Sequence, residues 1–126
     1  MNGTGQGPQA AKAGNPPVDV ETIKKSANEV LADGAQIADS DEIETTILLL
    51  RGMIMLLIPD VETLAMCLPE DDIPRACALA CLGEARMRLR VGSGGDLPRQ
   101  IAQAQRLARS AISLSDHHVN LGGGSK

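Results

Sequence analysis

The stretch SDEIETTILLLRGMIMLLIPDVETLAMCL, residues 40–68, decides how this chain folds. At about 100° per residue, Ile43, Ile47, Leu50, Ile54, Leu57, Val61, Ala65 and Leu68 stay on one side of a single helix. That register runs straight through Pro59, so the spacing predicts one long helix to about Leu68, kinked at Pro59, rather than two helices and a loop. Pro59 falls on the side away from the stripe, where a lost hydrogen bond bends a helix toward its core. The start lies near Asp39 or Ser40. Asp39 and Glu42 have capping-box spacing, and Asp41, Glu42 and Glu44 suit the positive end of the helix dipole.

The same stretch carries a second apolar set. Leu48, Leu49, Met53, Met55 and Leu56 lie off the main stripe, with Gly52 among them. A helix apolar on more than one side is either central in its bundle or offers the second face to another molecule. Gly52 reads two ways: as a point of close backbone approach, or as a tolerated weak spot. Arg51 is the odd residue of the block, on the flank shared with Glu44 and Glu62. A buried Arg needs a carboxylate. Glu84 is one candidate, and Asp116, on one side of the last helix with Arg109, is another. These six residues make a candidate polar network, either tying the bundle together or shaping a pocket for a carboxylate or phosphate ligand.

Three more helices surround this one. The first starts near Asp19, whose carboxylate can accept bonds from the free amides of the first turn. Val18 and Ile23 hold the two positions of a hydrophobic staple. Ile23, Ala27, Val30 and Leu31 then form a narrow stripe, Glu21 and Lys25 form an i,i+4 pair, and Gly34 is a natural stop. Pro69 to Asp72 reads as a turn, and Asp72 before Pro74 opens a third helix that runs to about Arg90 and stops near Gly92. Its small residues, Ala76, Ala80 and Gly83 among them, suggest tight packing on both sides. After the Gly92–Gly95 loop, the fourth helix begins at Asp96 with Pro98 in its first turn. Leu97, Ile101, Ala104, Ala108, Ala111, Ile112 and Ser115 line one face, and Arg99, Arg106, Ser113 and His117 the opposite, exposed one. The Gly- and Pro-rich residues 1–17 and the GGGSK end, 122–126, read as flexible tails around one helical domain, 18–121.

Composition narrows the function. The 126 residues include no Phe, Tyr or Trp, which removes stacking platforms for single-stranded nucleic acid and aromatic cages for cations. Net charge is −4, yet residues 1–72 hold four basic against thirteen acidic side chains and residues 73–126 eight against three. Either the halves complement each other on folding, or the Arg-rich half meets an acidic partner. Overall acidity argues against nucleic acid. The most apolar run, Ile47–Ile58, is interrupted by Arg51 and Gly52 and falls short of the roughly twenty residues of a membrane span. With no apolar leader, a cytoplasmic setting and reduced cysteines are expected.

The chemistry-bearing residues form no recognised constellation. Cys67, Cys77 and Cys81 lack zinc-site spacing and read as small core residues, with a redox thiol or a metal site as alternatives. His117 and His118 point about 100° apart, so His118 flanks the core and His117 faces solvent. Glu70-Asp71-Asp72 lacks calcium-loop spacing and reads as helix capping. Met53, Met55, Met66 and Met87 are adaptable packing residues, or the lining of an apolar pocket. GSGG at 92–95 lacks the Lys-Ser/Thr of a phosphate loop. No catalytic residue, cofactor or metal is expected.

Four stretches carry a resemblance: VDVETIKKSANEVL (18–31), LLLRGMIMLLIPDVETLA (48–65), LPEDDIPRACALACLGEARMRL (68–89) and AQRLARSAISLSDHHVNL (104–121). Together they resemble a family of small actinobacterial, Streptomyces-type proteins of unknown function labelled "natural product biosynthesis protein". The resemblance implies a place near secondary metabolism and assigns no reaction. Arg51, Arg75, Glu84, Arg86, Arg106, Arg109 and Asp116 match the family pattern without roles. The pattern has His after the Arg-Gly pair and an aromatic after the Asp-His pair, where this chain has Met53 and His118.

The expected fold is thus all-α, a four-helix bundle with a long second helix. The expected function is a non-enzymatic accessory or interaction protein that self-associates or holds a protein partner. Leu48, Leu49, Gly52, Met53, Met55 and Leu56 form its candidate face. The alternatives are a small-molecule binder with a Met/Leu/Cys-lined cavity and an Arg anchor, a DNA-binding regulator using the Arg face of the last two helices, and, last, an enzyme.

Overall fold

A computed structural model describes residues 18–33, 40–92 and 95–122. These form four helices: α1 Val20–Asp33, α2 Ser40–Met66, α3 Ile73–Arg90 and α4 Leu97–Asn120. The described residues contain no strand, and the helices pack on one another as an all-α bundle. The expected tail at 1–17, all of the expected tail at 122–126 except Gly122, the Gly34 stop and the Asp39 cap lie outside the described residues.

Each described helix start has a chemical cause. Asp19 caps α1, accepting from the Thr22 N–H at 3.1 Å and the Thr22 hydroxyl at 2.7 Å. Those two bonds hold its carboxyl below the usual carboxylate value. Asp72 accepts from the Arg75 N–H at 3.0 Å and Asp96 from the Arg99 N–H at 3.0 Å. Each is followed by a proline in the first turn, where no N–H is missed. Gly122, with φ +96°, supplies the left-handed turn after α4.

Helix α2 passes through Pro59 without a break and presents the expected stripe inward. Ile43, Ile47, Leu50, Ile54, Leu57, Val61 and Ala65 are all buried. Each of the larger side chains contributes about 1.5–3 kcal/mol by leaving water. Pro59 lies on the exposed side, where water can reach the carbonyl its ring leaves without a partner. The helix ends at Met66, slightly before the expected Leu68. Cys67 and Leu68 already form the turn, their amides donating to the Leu64 and Ala65 carbonyls. Arg75 clamps that turn by donating to the Leu68 carbonyl at 2.8 Å.

The central helix is α4, not α2. Helix α4 packs on all three others, α2 most of all, while α1 lies chiefly on α4 and barely reaches α2. Helix α3 bridges α2 and α4, and the described residues of α1 and α3 do not touch. Sequence periodicity understates α4 because it buries polar positions as well as its apolar stripe: Gln100, Gln103, Ser110, Ser115 and His118 are all inside. The expected outer residues Arg99, Arg106 and Ser113 are exposed, and His117 is half-buried. Helix α2, with only one side occupied, keeps its second apolar face uncovered.

Candidate interaction face

On α2, Leu48 is 69 % exposed, Leu49 59 %, Met55 60 % and Leu56 55 %. Gly52 stands at the middle of this patch, and a methyl group built on it would touch nothing within 4 Å. Met66 continues the patch at the C-terminal end. Met53 departs from its neighbours: it is half-buried and packs against the core. It also lines a groove of about 290 Å³ between α1 and α2, with Ser26, Val30 and Leu49. From Thr45 to Met66 the outermost arc of the helix carries no charge. The charged residues lie on its borders, and Glu44 and Glu62 share one of them.

Helix α3 extends the apolar surface. Only Ala78, Leu82 and Ala85 of α3 are buried. Ile73, Ala76, Ala80, Gly83 and Met87 face outward. The tight packing expected on both sides of α3 is therefore corrected: Ala78 and Ala85 pack inward, whereas Ala76, Ala80 and Gly83 lie on the open side. The cysteine expectation is corrected with it, since Cys67 and Cys77 are exposed and only Cys81 is half-buried. Burial, helped by the nearby Glu84 carboxylate, pushes the Cys81 thiol up to about 11. This thiol is therefore a poor nucleophile near neutral pH.

The six residues of the candidate polar network do not come together. Arg51 takes a backbone partner in place of a carboxylate, donating from Nη2 to the Leu89 carbonyl at 2.7 Å, near the C-terminus of α3. A cation there complements the negative end of the helix dipole. Its Nη1 is buried without a partner. Glu84 pairs with Arg88 at 2.8 Å along α3, and Glu62 with Arg86 at 3.2 Å across α2 and α3. Asp116 pairs with Lys24 at 2.6 Å, tying α4 to α1. Glu44 and Arg109 are exposed and enter no ion pair with the described residues. These are separate pairs on the surface, each worth roughly 0–1 kcal/mol.

One polar pair escaped the sequence reading. His118, inside the bundle, places Nε2 3.3 Å from Asp60 Oδ2 on α2. Its Nδ1 is buried without a partner, as is the hydroxyl of Ser115 one turn earlier. The only signal was position: Asp60 follows Pro59 on the border of α2 nearer α4. Ser115 has no exposed surface and His118 is buried, so of this group only the Asp60 carboxylate meets solvent.

Among the described residues, no group of three or more His, Cys, Asp or Glu side chains could hold a metal ion. None of the described helices is long and apolar enough to cross a membrane. The α1–α2 groove has Glu29 and Glu42 on its walls and no arginine, since Arg51 is turned toward α3. A larger open depression lies beside α1, between its outer side and the end of α4, lined by Lys24, Lys25 and Asp116.

What stands out is a small helical bundle with an uncovered apolar side and no assembled reaction centre among its described residues. The chain belongs to a family of unknown function, DUF6415, whose pattern matches residues 21–123. No curated protein and no solved structure matches it.

Proposed function

We propose that this chain is a non-enzymatic helical interaction protein, an accessory to natural product biosynthesis in the cytoplasm, that works by docking through the outer side of α2 and associates with itself. The observation that carries this reading is the row Leu48, Leu49, Met55 and Leu56, more than half exposed around Gly52. Single exposed leucines are ordinary, whereas a contiguous row marks a contact surface. Gly52 and Gly83 add support. A glycine inside an exposed helix costs about 0.5–1 kcal/mol relative to Ala, and each lies on an outer face where a bare backbone lets another surface approach. The small-molecule alternative has less support, because the groove beside Met53 is open and carries no Arg anchor. The link to natural products comes from the sequence resemblance.

The test is complementation. Deleting the gene from its host should lower the output of a secondary metabolite, and the wild-type chain should restore it. Variants of Cys77, His117 or Asp116 should restore it too, because no chemistry passes through them. Leu49→Glu/Leu56→Glu, altered only at exposed positions, should fold and fail to restore it. Full rescue by that variant, or loss of rescue on replacing His117 or Cys77 with folding intact, contradicts the docking reading.

A further inference from the structure

We infer that the occupant of the α2–α3 side is a second copy of this chain, arranged about a twofold axis so that α2 of each protomer lies against α3 of the other. The inference rests on the docking reading and names its partner.

Both helices carry an uncharged outer seam with the alternating three- and four-residue spacing of coiled coils. On α2 it runs Thr45, Leu48, Gly52, Met55, Pro59, and on α3 Ile73, Ala76, Ala80, Gly83, Met87; every one of these ten residues is exposed. The two seams differ in the charge on their borders. Glu44 and Glu62 flank α2 and Arg86 and Arg90 flank α3; Glu62 and Arg86 already pair within the protomer, which leaves Glu44 and Arg90 as the border charges open to a partner. Setting α2 on its own copy would put acid beside acid, and α3 on α3 would put guanidinium beside guanidinium. Crossing them puts opposite signs together, and a twofold axis makes that pairing twice. Arg51, the basic exception on the α2 border, is already engaged by the Leu89 carbonyl. Glu84, the acidic exception on α3, is held by Arg88.

The size of the surface fits a weak, concentration-dependent dimer. The uncharged outer arc of α2, Thr45 to Met66, is about 33 Å long and the α3 seam about 21 Å at 1.5 Å per residue, and each helix is about 10 Å wide. That gives roughly 540 Å² per protomer, below the roughly 800 Å² per partner of a standard interface and, at about 1,100 Å² in all, just above the lower bound for a specific one.

Sedimentation of the full chain at low salt tests the arrangement, with far-UV circular dichroism reporting that each variant is folded. The wild type should be a dimer. Glu44→Lys should weaken association several-fold, and so should Arg90→Glu, because each brings like charges together across the interface. An equimolar mixture of the two variants should recover dimers. Both positions are exposed and outside any ion pair with the described residues, so the swaps leave the protomer's own contacts intact. A wild type that stays monomeric at high concentration overturns self-association and leaves docking of a different partner to the complementation test. A dimer indifferent to the charge swaps, or a mixture that does not recover, overturns the crossed pairing.

Discussion

Gly52→Ala should move two properties of this protein in opposite directions. Within one protomer the added methyl meets no atom within 4 Å. It introduces no clash and leaves the buried side of α2, which faces the other way, unchanged. What remains is the backbone effect: alanine gives up less conformational freedom than glycine on entering a helix, about 0.5–1 kcal/mol in favour of the folded state. For a domain of this size that amounts to a rise of roughly 2–8 °C in melting temperature. Urea denaturation followed by circular dichroism, at a concentration low enough to keep the chain monomeric, reads this term alone. At high concentration the same methyl sits at the middle of the seam, where a neighbouring helix needs the bare backbone, so sedimentation should report weaker association. A dilute Gly52→Ala protein less stable than wild type would refute the reasoning, because some part of the protomer would then need that position empty.

Other perturbations read single features of the bundle. Arg51→Met should cost about 1–3 kcal/mol, the worth of a hydrogen bond from a charged donor. The partner is a neutral carbonyl at a helix end, so the loss should shrink only slightly between 0.05 and 0.5 M salt; a strong salt dependence would reveal a carboxylate partner after all. His118→Ala should destabilise by about 2 kcal/mol through the buried space it leaves, and denaturation midpoints unchanged from wild type would contradict its place inside the bundle. At pH 8 a thiol-alkylating reagent should label Cys67 and Cys77 quickly and Cys81 slowly, with the Cys81 rate still climbing toward pH 11. Three equal rates by mass spectrometry would rule that out. Asp19 has a lowered carboxyl, so its capping contribution is complete above the unfolded value of 3.8 and is lost as pH falls through the lower folded value. Protection of the Thr22 amide from hydrogen exchange should fall with it, and Asp19→Asn, which keeps the cap, should remove the pH dependence.

Much of the fold was legible because its signals are local. The α2 stripe, the Asp caps before Pro74 and Pro98 and the Val18–Ile23 pair all rest on neighbours within one or two turns. The place of α4 at the centre was not, since periodicity ranks residues by polarity and the inner side of α4 includes Gln100, Gln103, Ser115 and His118. The outward seam of α3 was hidden for the opposite reason: Ala and Gly are equally at home in a tight contact and on an open surface. The row around Gly52 was readable, and the structure supplies what periodicity could not, that no other described part of the chain covers it. The partner of Arg51 was out of reach, because a backbone carbonyl carries no signature in the residue types.

The position of α4 bears on how a ribosome makes this protein. The hub of the bundle is synthesised after the three helices that lean on it, and Lys24 must wait for Asp116, 92 residues downstream. Until then α1 has little to rest on, and the nascent hairpin of α2 and α3 leaves oily flanks bare on both its inner and outer sides. Vectorial synthesis therefore delays consolidation until the last helix emerges, and an arrest or truncation before Leu97 would release a sticky fragment rather than a smaller working bundle.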